Sequence, residues 1–192
     1  MNFDQLKKKA LSKLETAVRK GEADKPVLPY LELINKHPDY FTSSSCYGRI
    51  IIIHIDRRKD LSKFLGKWHR EVSFEEVKKV LEKAEGNVWF RFDPLILHVS
   101  CRGIAEAKKL LELKTSIGFK RGGIFNIRDE RVQIELEGTD MMAVPVKKEN
   151  RVLVDDSYLD LLVNEANQKF VNNERKWKKF GSAWKDHFFT RT

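Results

Sequence analysis

The sequence predicts an α+β fold: a mixed β-sheet core with duplicated strand-helix-strand units, flanked by helices at both ends. Three observations predict it. Apolar residues recur at helical spacing near both termini, short β-branched or alternating runs fill the middle, and one pattern occurs twice. "IIIIHI" leads to "FEEVKKVLEKA" and "NVWFRFD", as "LILHVS" leads to "IAEAKKLLELK" and "GIFNIRD". Each copy is a basic-faced helix running into a strand that ends in Asp.

The N-terminal helix is predicted from Phe3, Leu6, Ala10, Leu14 and Ala17, and ends near Gly21. "YLELINKH" is a second, short helix that stops before Pro38. "TSSSC" (42–46) is expected as a loop, followed by a strand in "GRIIIIHID", because four consecutive isoleucines are stiff and β-favouring. "RRKDLSKFLGKWHREV" is polar and is expected as a long connection carrying Trp68 and His69. Ser73 with Glu76 three residues on forms a capping box for the next helix, closed by Gly86.

"NVWFRFDP" alternates and is a strand broken by Pro94; "LILHVSC" is another. "GIAEAKKLLELKTSIGF" is helical, and "GGIFNIRD" and "RVQIELEG" are strands joined by a tight turn at Asp129 and Glu130. "MAVPVK" and "RVLV" are shorter strands, the former at an edge because Pro145 cannot donate to a ladder. A long helix is expected from Asp155–Ser157 to about Phe180, then a tail over 181–192. One domain is expected over 1–192, with N-terminal helices over 1–36 and an α+β core over 40–154.

The chain has 37 Lys and Arg against 28 Asp and Glu, a net charge of +9. That excess points to nucleic acid or another polyanion, although abundant Lys and Glu also suit surface ion-pair networks. No apolar run is long enough to span a bilayer and the N-terminus is unlike a signal peptide, so a cytoplasmic location is the default. The two cysteines, Cys46 and Cys101, give no disulfide framework.

Several stretches could carry chemistry. Ser43, Ser44, Ser45 and Arg49 bring hydroxyls and a guanidinium beside a small turn at Gly48, which suits a carboxylate or phosphate. The plainer alternative is a capped turn with Arg49 paired to an acid. "GFKRGGI" sets Lys120 and Arg121 before Gly122 and Gly123, a phosphate contact or a turn needing positive backbone angles. His98 lies in an apolar strand, where a hydrogen-bonded core histidine is the ordinary case. Cys46, His69, His98 and Cys101 are zinc-ligand types, but His98 and Cys101 point to opposite strand faces and no paired spacing occurs. No metal is expected. Neither a Walker loop nor a Gly-x-Gly-x-x-Gly fingerprint is present, so the classical nucleotide-binding signatures are absent.

Taken in order, "TSSSCYGRI", Trp68–His69, "DPLILHVSCRG", "GFKRGGI" and "LVDDSYLDLLVNEANQKFVNNERKWKKF" resemble the wybutosine-synthesizing protein 3 family of tRNA-modifying methyltransferases. The likeness runs from about Tyr40 to Phe180. It implies methyl transfer from S-adenosylmethionine to N4 of a demethylwyosine-type tricyclic guanosine, 3′ of the anticodon in phenylalanine-accepting tRNA. It also implies a fold other than the doubly wound methyltransferase sheet.

Carried onto this chain, the resemblance assigns Ser43, Ser44, Ser45 and Arg49 to the anionic end of cofactor or substrate. His98 and His69 become candidates for the N4 proton, and Asn167 for a ribose or base edge. Lys120, Arg121 and Gly123 would contact substrate, and Cys46 would orient the loop. Tyr47 departs from the small residue usual after that cysteine, so its ring could stack on a base or narrow the pocket. The rival functions are a non-catalytic basic RNA-binding or assembly protein and a Cys/His metal-dependent enzyme.

Overall fold

The computed structural model describes residues 1–56, 58, 62–128 and 130–189. In chain order the elements are α1 (Phe3–Arg19), α2 (Leu28–Asn35), β1 (Tyr40–Cys46), β2 (Arg49–His54), β3 (Lys63–Trp68), α3 (Phe74–Lys83), β4 (Val88–Asp93), β5 (Ile96–Cys101), α4 (Ile104–Ser116), β6 (Ile124–Arg128), β7 (Arg131–Glu137), β8 (Met142–Lys148), β9 (Arg151–Val152) and α5 (Asp156–Phe188). They group into two compact units. The first holds Met1–Tyr47, Leu95–Thr139 and the chain from Arg175 onward; the second holds Gly48–Pro94 and Asp140–Glu174.

The α+β class holds, and the core is two antiparallel sheets in place of one mixed sheet. The first unit carries the order β1-β5-β7-β6 and the second β3-β2-β4-β8-β9. Among the described residues the seven strand pairings are all antiparallel. The repeated pattern falls one copy to a unit, yet its last strand is placed differently. β4 lies beside β2, whereas β6 sits at the sheet edge with β7 taking the place next to β5.

Local chemistry explains the helix starts. Asn2 and Gln5 close a capping box on α1 with bonds of 3.0 and 3.1 Å, and Ser73 and Glu76 close the expected one on α3 at 3.2 and 3.0 Å. An Arg70 guanidinium beside Glu76 holds that carboxyl down at about 2, so the box keeps its acceptor at any ordinary pH.

Three segments differ from expectation. The run 42–46 is part of edge strand β1, because Tyr40, Phe41 and Thr42 bury into the unit and pull the serines into the ladder with them. Part of the expected 57–72 connection is edge strand β3, whose charged residues hide its alternation; residues 57 and 59–61 lie outside the described ones. Residue 129 of the expected 129–130 turn also lies outside them. The terminal helix continues past Phe180 to Phe188, and only residues 190–192 of the expected tail are undescribed. The extension is driven by burial. Trp184 is fully buried against Tyr40, Phe180 and Phe188, with ring centroids 5.2, 5.7 and 4.3 Å away.

α5 therefore supplies both units with core. Leu159, Leu162, Val163, Ala166 and Phe170 are buried in the second unit, and Trp177, Phe180 and Trp184 in the first. At the start of β2, Gly48 has φ +105°, and a Cβ there would meet the Asn173 amide at 2.6 Å. Among the described residues no helix is long and apolar enough to cross a membrane.

Replacing Trp184 by Ala should cost about 3–5 kcal/mol, read as a large fall in the denaturation midpoint, whereas a frayed tail would cost nothing. Burial gives a second test. It pushes the Cys101 thiol up to about 12 from an ordinary 9.0. Below pH 9.0 both states hold that proton; above it only the unfolded chain releases it, so stability falls as pH rises toward 12. Denaturant titrations between those limits should fall less steeply for Cys101→Ala than for the parent.

Candidate functional site

In the first unit β5 runs between β1 and β7, and the register sets Ser44 opposite His98 and His98 opposite Glu135. Directly opposed residues share a sheet face, so the three side chains form one row across three strands. The Glu135 carboxylate accepts a 2.8 Å hydrogen bond from His98 Nε2. A carboxylate can only accept, which puts the ring proton on Nε2 and the lone pair of the neutral ring on Nδ1. Phe125 packs 4.8 Å from the imidazole and leaves half its own surface open.

The loop before β6 is tied to this row. The Glu135 backbone N–H donates to the Gly123 carbonyl at 2.9 Å. Gly122 has φ +79°, and a Cβ there would meet the Glu135 carbonyl oxygen at 2.2 Å, so only glycine permits the approach. Buried Lys114 donates to the carbonyls of Phe119 and Gly122, both at 3.0 Å, and burial lowers its pKa. Arg121 pairs with Glu137 at 3.1 Å, while Lys120 is exposed. The glycine pair thus serves the turn, and Lys120 projects from it.

Ser43, Ser44 and Ser45 line a cavity of about 570 Å³ with Lys9, Lys13, Glu22, Asp24 and Arg131. Their hydroxyls make no hydrogen bond to another described residue, so they cap no turn. Ser44 belongs both to this cavity and to the row with His98. The lining pairs cations with acids around hydroxyl donors, within the size range of small-molecule sites.

Arg49, His69 and Asn167 belong to the second unit. There the Arg49 guanidinium bonds Asp93 at 3.2 and 3.1 Å and lies 5.0 Å over the Phe64 ring. His69, also there, donates from Nδ1 to the Gly48 carbonyl at 3.1 Å, which puts the lone pair of its neutral ring on Nε2. Asn167 spends both ends of its amide on Val72, accepting from its N–H at 2.9 Å and donating to its carbonyl at 2.8 Å. Tyr47 is 5% exposed and stacks on Trp177 at 5.9 Å, while its carbonyl accepts from Trp177 Nε1 at 3.0 Å. Its ring fills core; it does not await a base.

Cys46 lies opposite Ile96 and Cys101 opposite Tyr40, so the two thiols sit at opposite ends of one strand pair and share no ion. The Cys46–Cys101 zinc arrangement is excluded by that register. Sequence reasoning missed Glu135, Phe125 and the α1 lysines. Glu135 had a faint signal, polar residues at alternate positions in "VQIELE", but its partner follows only from strand register.

The family model described as "Methyltransferase TYW3" matches residues 5–186. A Pyrococcus abyssi relative named tRNA(Phe) 7-((3-amino-3-carboxypropyl)-4-demethylwyosine(37)-N(4))-methyltransferase 1 is 41% identical, covering 93% of this chain and 94% of its own. A Danio rerio tRNA wybutosine-synthesizing protein 3 homolog is 33% identical over 95% of this chain and 74% of its own. A solved structure from Pyrococcus horikoshii superposes with TM-score 0.89 at 38% identity, covering 94% of this chain and 93% of that one. The chain belongs to the methyltransferase TYW3 family.

Proposed function

We propose that this chain methylates N4 of a demethylwyosine-type tricyclic guanosine 3′ to the anticodon of tRNA(Phe), with S-adenosylmethionine as donor. The observation that carries the reading is Ser44, shared by the 570 Å³ cavity and by the row that ends in the His98–Glu135 pair. One residue there joins a place for a donor to a place for a proton. The name and high coverage of the Pyrococcus abyssi relative support the choice of substrate.

The cavity's donor set fits S-adenosylmethionine. Lys9, Lys13, Arg131 and the serine hydroxyls suit its carboxylate, and Glu22 and Asp24 suit its ammonium or ribose hydroxyls. When bound, the donor supplies a sulfonium-activated methyl to an in-line nitrogen nucleophile. The protein's task is then to hold two ligands in a reactive geometry. His98 accepts the departing N4 proton on Nδ1, and Glu135 stabilises the imidazolium through Nε2. Lys120 meets a backbone phosphate. On this reading His69 supports the β2 entry through its bond to the Gly48 carbonyl, and the proton falls to His98, whose ring is backed by a carboxylate. A non-catalytic RNA-binding role is the reading to exclude.

Tritiated donor incubated with tRNA(Phe) carrying the demethylwyosine precursor should label that RNA, and RNA lacking the precursor should stay unlabelled. Binding without label would establish the non-catalytic reading. His98→Gln should lower turnover by about 10²-fold with donor affinity unchanged, whereas His69→Gln should leave turnover near the parent value. Ser44→Ala should weaken donor binding in calorimetry with little change in the denaturation midpoint. Parent-like turnover in His98→Gln removes that residue from the mechanism.

A further inference from the structure

In the second unit, Ile50, Ile52, Phe90 and Phe92 are each 0% exposed and turn one face of the sheet into the core. Strand alternation sends Arg49, Ile51 and Ile53 of β2 and Trp89, Arg91 and Asp93 of β4 to the other face. The register adds Lys67 opposite Ile51 and Phe64 opposite Ile53. This second face is open in part: Phe64 is 48% exposed and Lys67 is exposed, with Arg49, Trp89 and Arg91 half-buried.

Its charge is unbalanced. Asp93 is held by two guanidiniums, Arg49 on Oδ2 at 3.1 Å and Arg91 on Oδ1 at 2.8 Å. One carboxylate between two guanidiniums leaves a net positive charge, and Lys67 adds another. Asp93 fixes both planar groups instead of neutralising them. The Arg49 guanidinium carbon lies 5.0 Å from the Phe64 ring centroid and Lys67 Nζ 5.9 Å.

We infer that this face, built on Phe64, Trp89, Arg49, Arg91 and Lys67, is a platform for unpaired RNA nucleotides. Bases stack on aromatic rings and on guanidinium planes, while phosphates meet the surplus cations. A sheet face that interleaves the two offers both within one strand spacing. An acidic protein segment would answer the charge but would leave the ring and the guanidinium planes without a stacking partner. The inference rests on the tRNA reading above and adds a surface of the second unit that holds unpaired nucleotides of the RNA.

Fluorescence anisotropy with the full chain tests it, using a labelled RNA hairpin with an unpaired loop and a blunt RNA duplex of equal length. Phe64→Ala should weaken hairpin binding about 5- to 100-fold, leaving duplex and donor binding at parent levels. Phe64→Leu, which keeps apolar bulk without a ring, should weaken it similarly. Lys67→Ala should lower the slope of log affinity against log salt by about one. Parent-like hairpin affinity in both Phe64 variants overturns the platform, as does equal loss on hairpin and duplex, or competition by polyglutamate as strong as by RNA. A parent that binds loops through Phe64 but transfers no methyl would sink the enzymatic reading and spare the platform. Methyl transfer indifferent to Phe64 does the reverse.

Discussion

The register of β5 between β1 and β7 is the constraint on which the first unit depends. Leu97, Val99 and Cys101 turn to the buried face, and His98 turns to the opposite one. A slip of one residue would turn His98 toward the apolar side and take Leu97 out of it, a double cost for a strand whose two faces carry different chemistry. The same ladder fixes what stands beside the imidazole. Ser44 and Glu135 are far apart in sequence and flank His98 only because both pairings are antiparallel and in this register. Core packing and site assembly are therefore one event.

The second unit applies the rule with different chemistry. The four isoleucines form a strand, and Ile51 is 1% exposed although it lies on the face opposite the core. Its neighbours across the ladder are Arg91 and Lys67, whose long aliphatic stems can cover apolar surface while their charges remain in water. Asp93 then determines where the guanidiniums point. The motif arginine, Arg49, is thus bound into a three-membered ionic cluster, which explains its place in the sequence without requiring it at the serines.

Element types were largely legible in the sequence wherever a period was long or a cap explicit. The α3 capping box, the alternation of β4 and the apolar stripe of α5 emerge as expected. The failures share a cause. "TSSSC" and "KFLGKW" are edge strands, whose composition is polar because one side faces solvent, and polar composition resembles that of a loop. "GSAWKDHFF" continues its helix because Trp184 finds Tyr40, a partner far away in sequence. The site was legible in kind more than in grouping. Serines and His98 do meet, through Ser44, but Tyr47 and Asn167 are consumed by Trp177 and Val72, contacts that only tertiary structure supplies.

The missing glycine fingerprint has a chemical reason on the proposed reading. A glycine-rich turn brings backbone N–H groups close to a pyrophosphate, whose charge needs several donors at short range. S-adenosylmethionine carries no phosphate; its anionic group is a single carboxylate, next to an ammonium that needs the opposite partner. Hydroxyls on a strand, lysines on a neighbouring helix and two acids between them meet both requirements, and that is the set around the Ser43–Ser45 cavity. The phosphates in the proposed reaction all belong to the RNA. On that reading the cations that serve them can lie outside the donor cavity, and neither Lys120 nor the Arg49–Asp93–Arg91 cluster lines it. On the proposed reading, dividing the anions in this way is what would let an antiparallel α+β chain perform methyl transfer with neither a parallel sheet nor a nucleotide-binding loop.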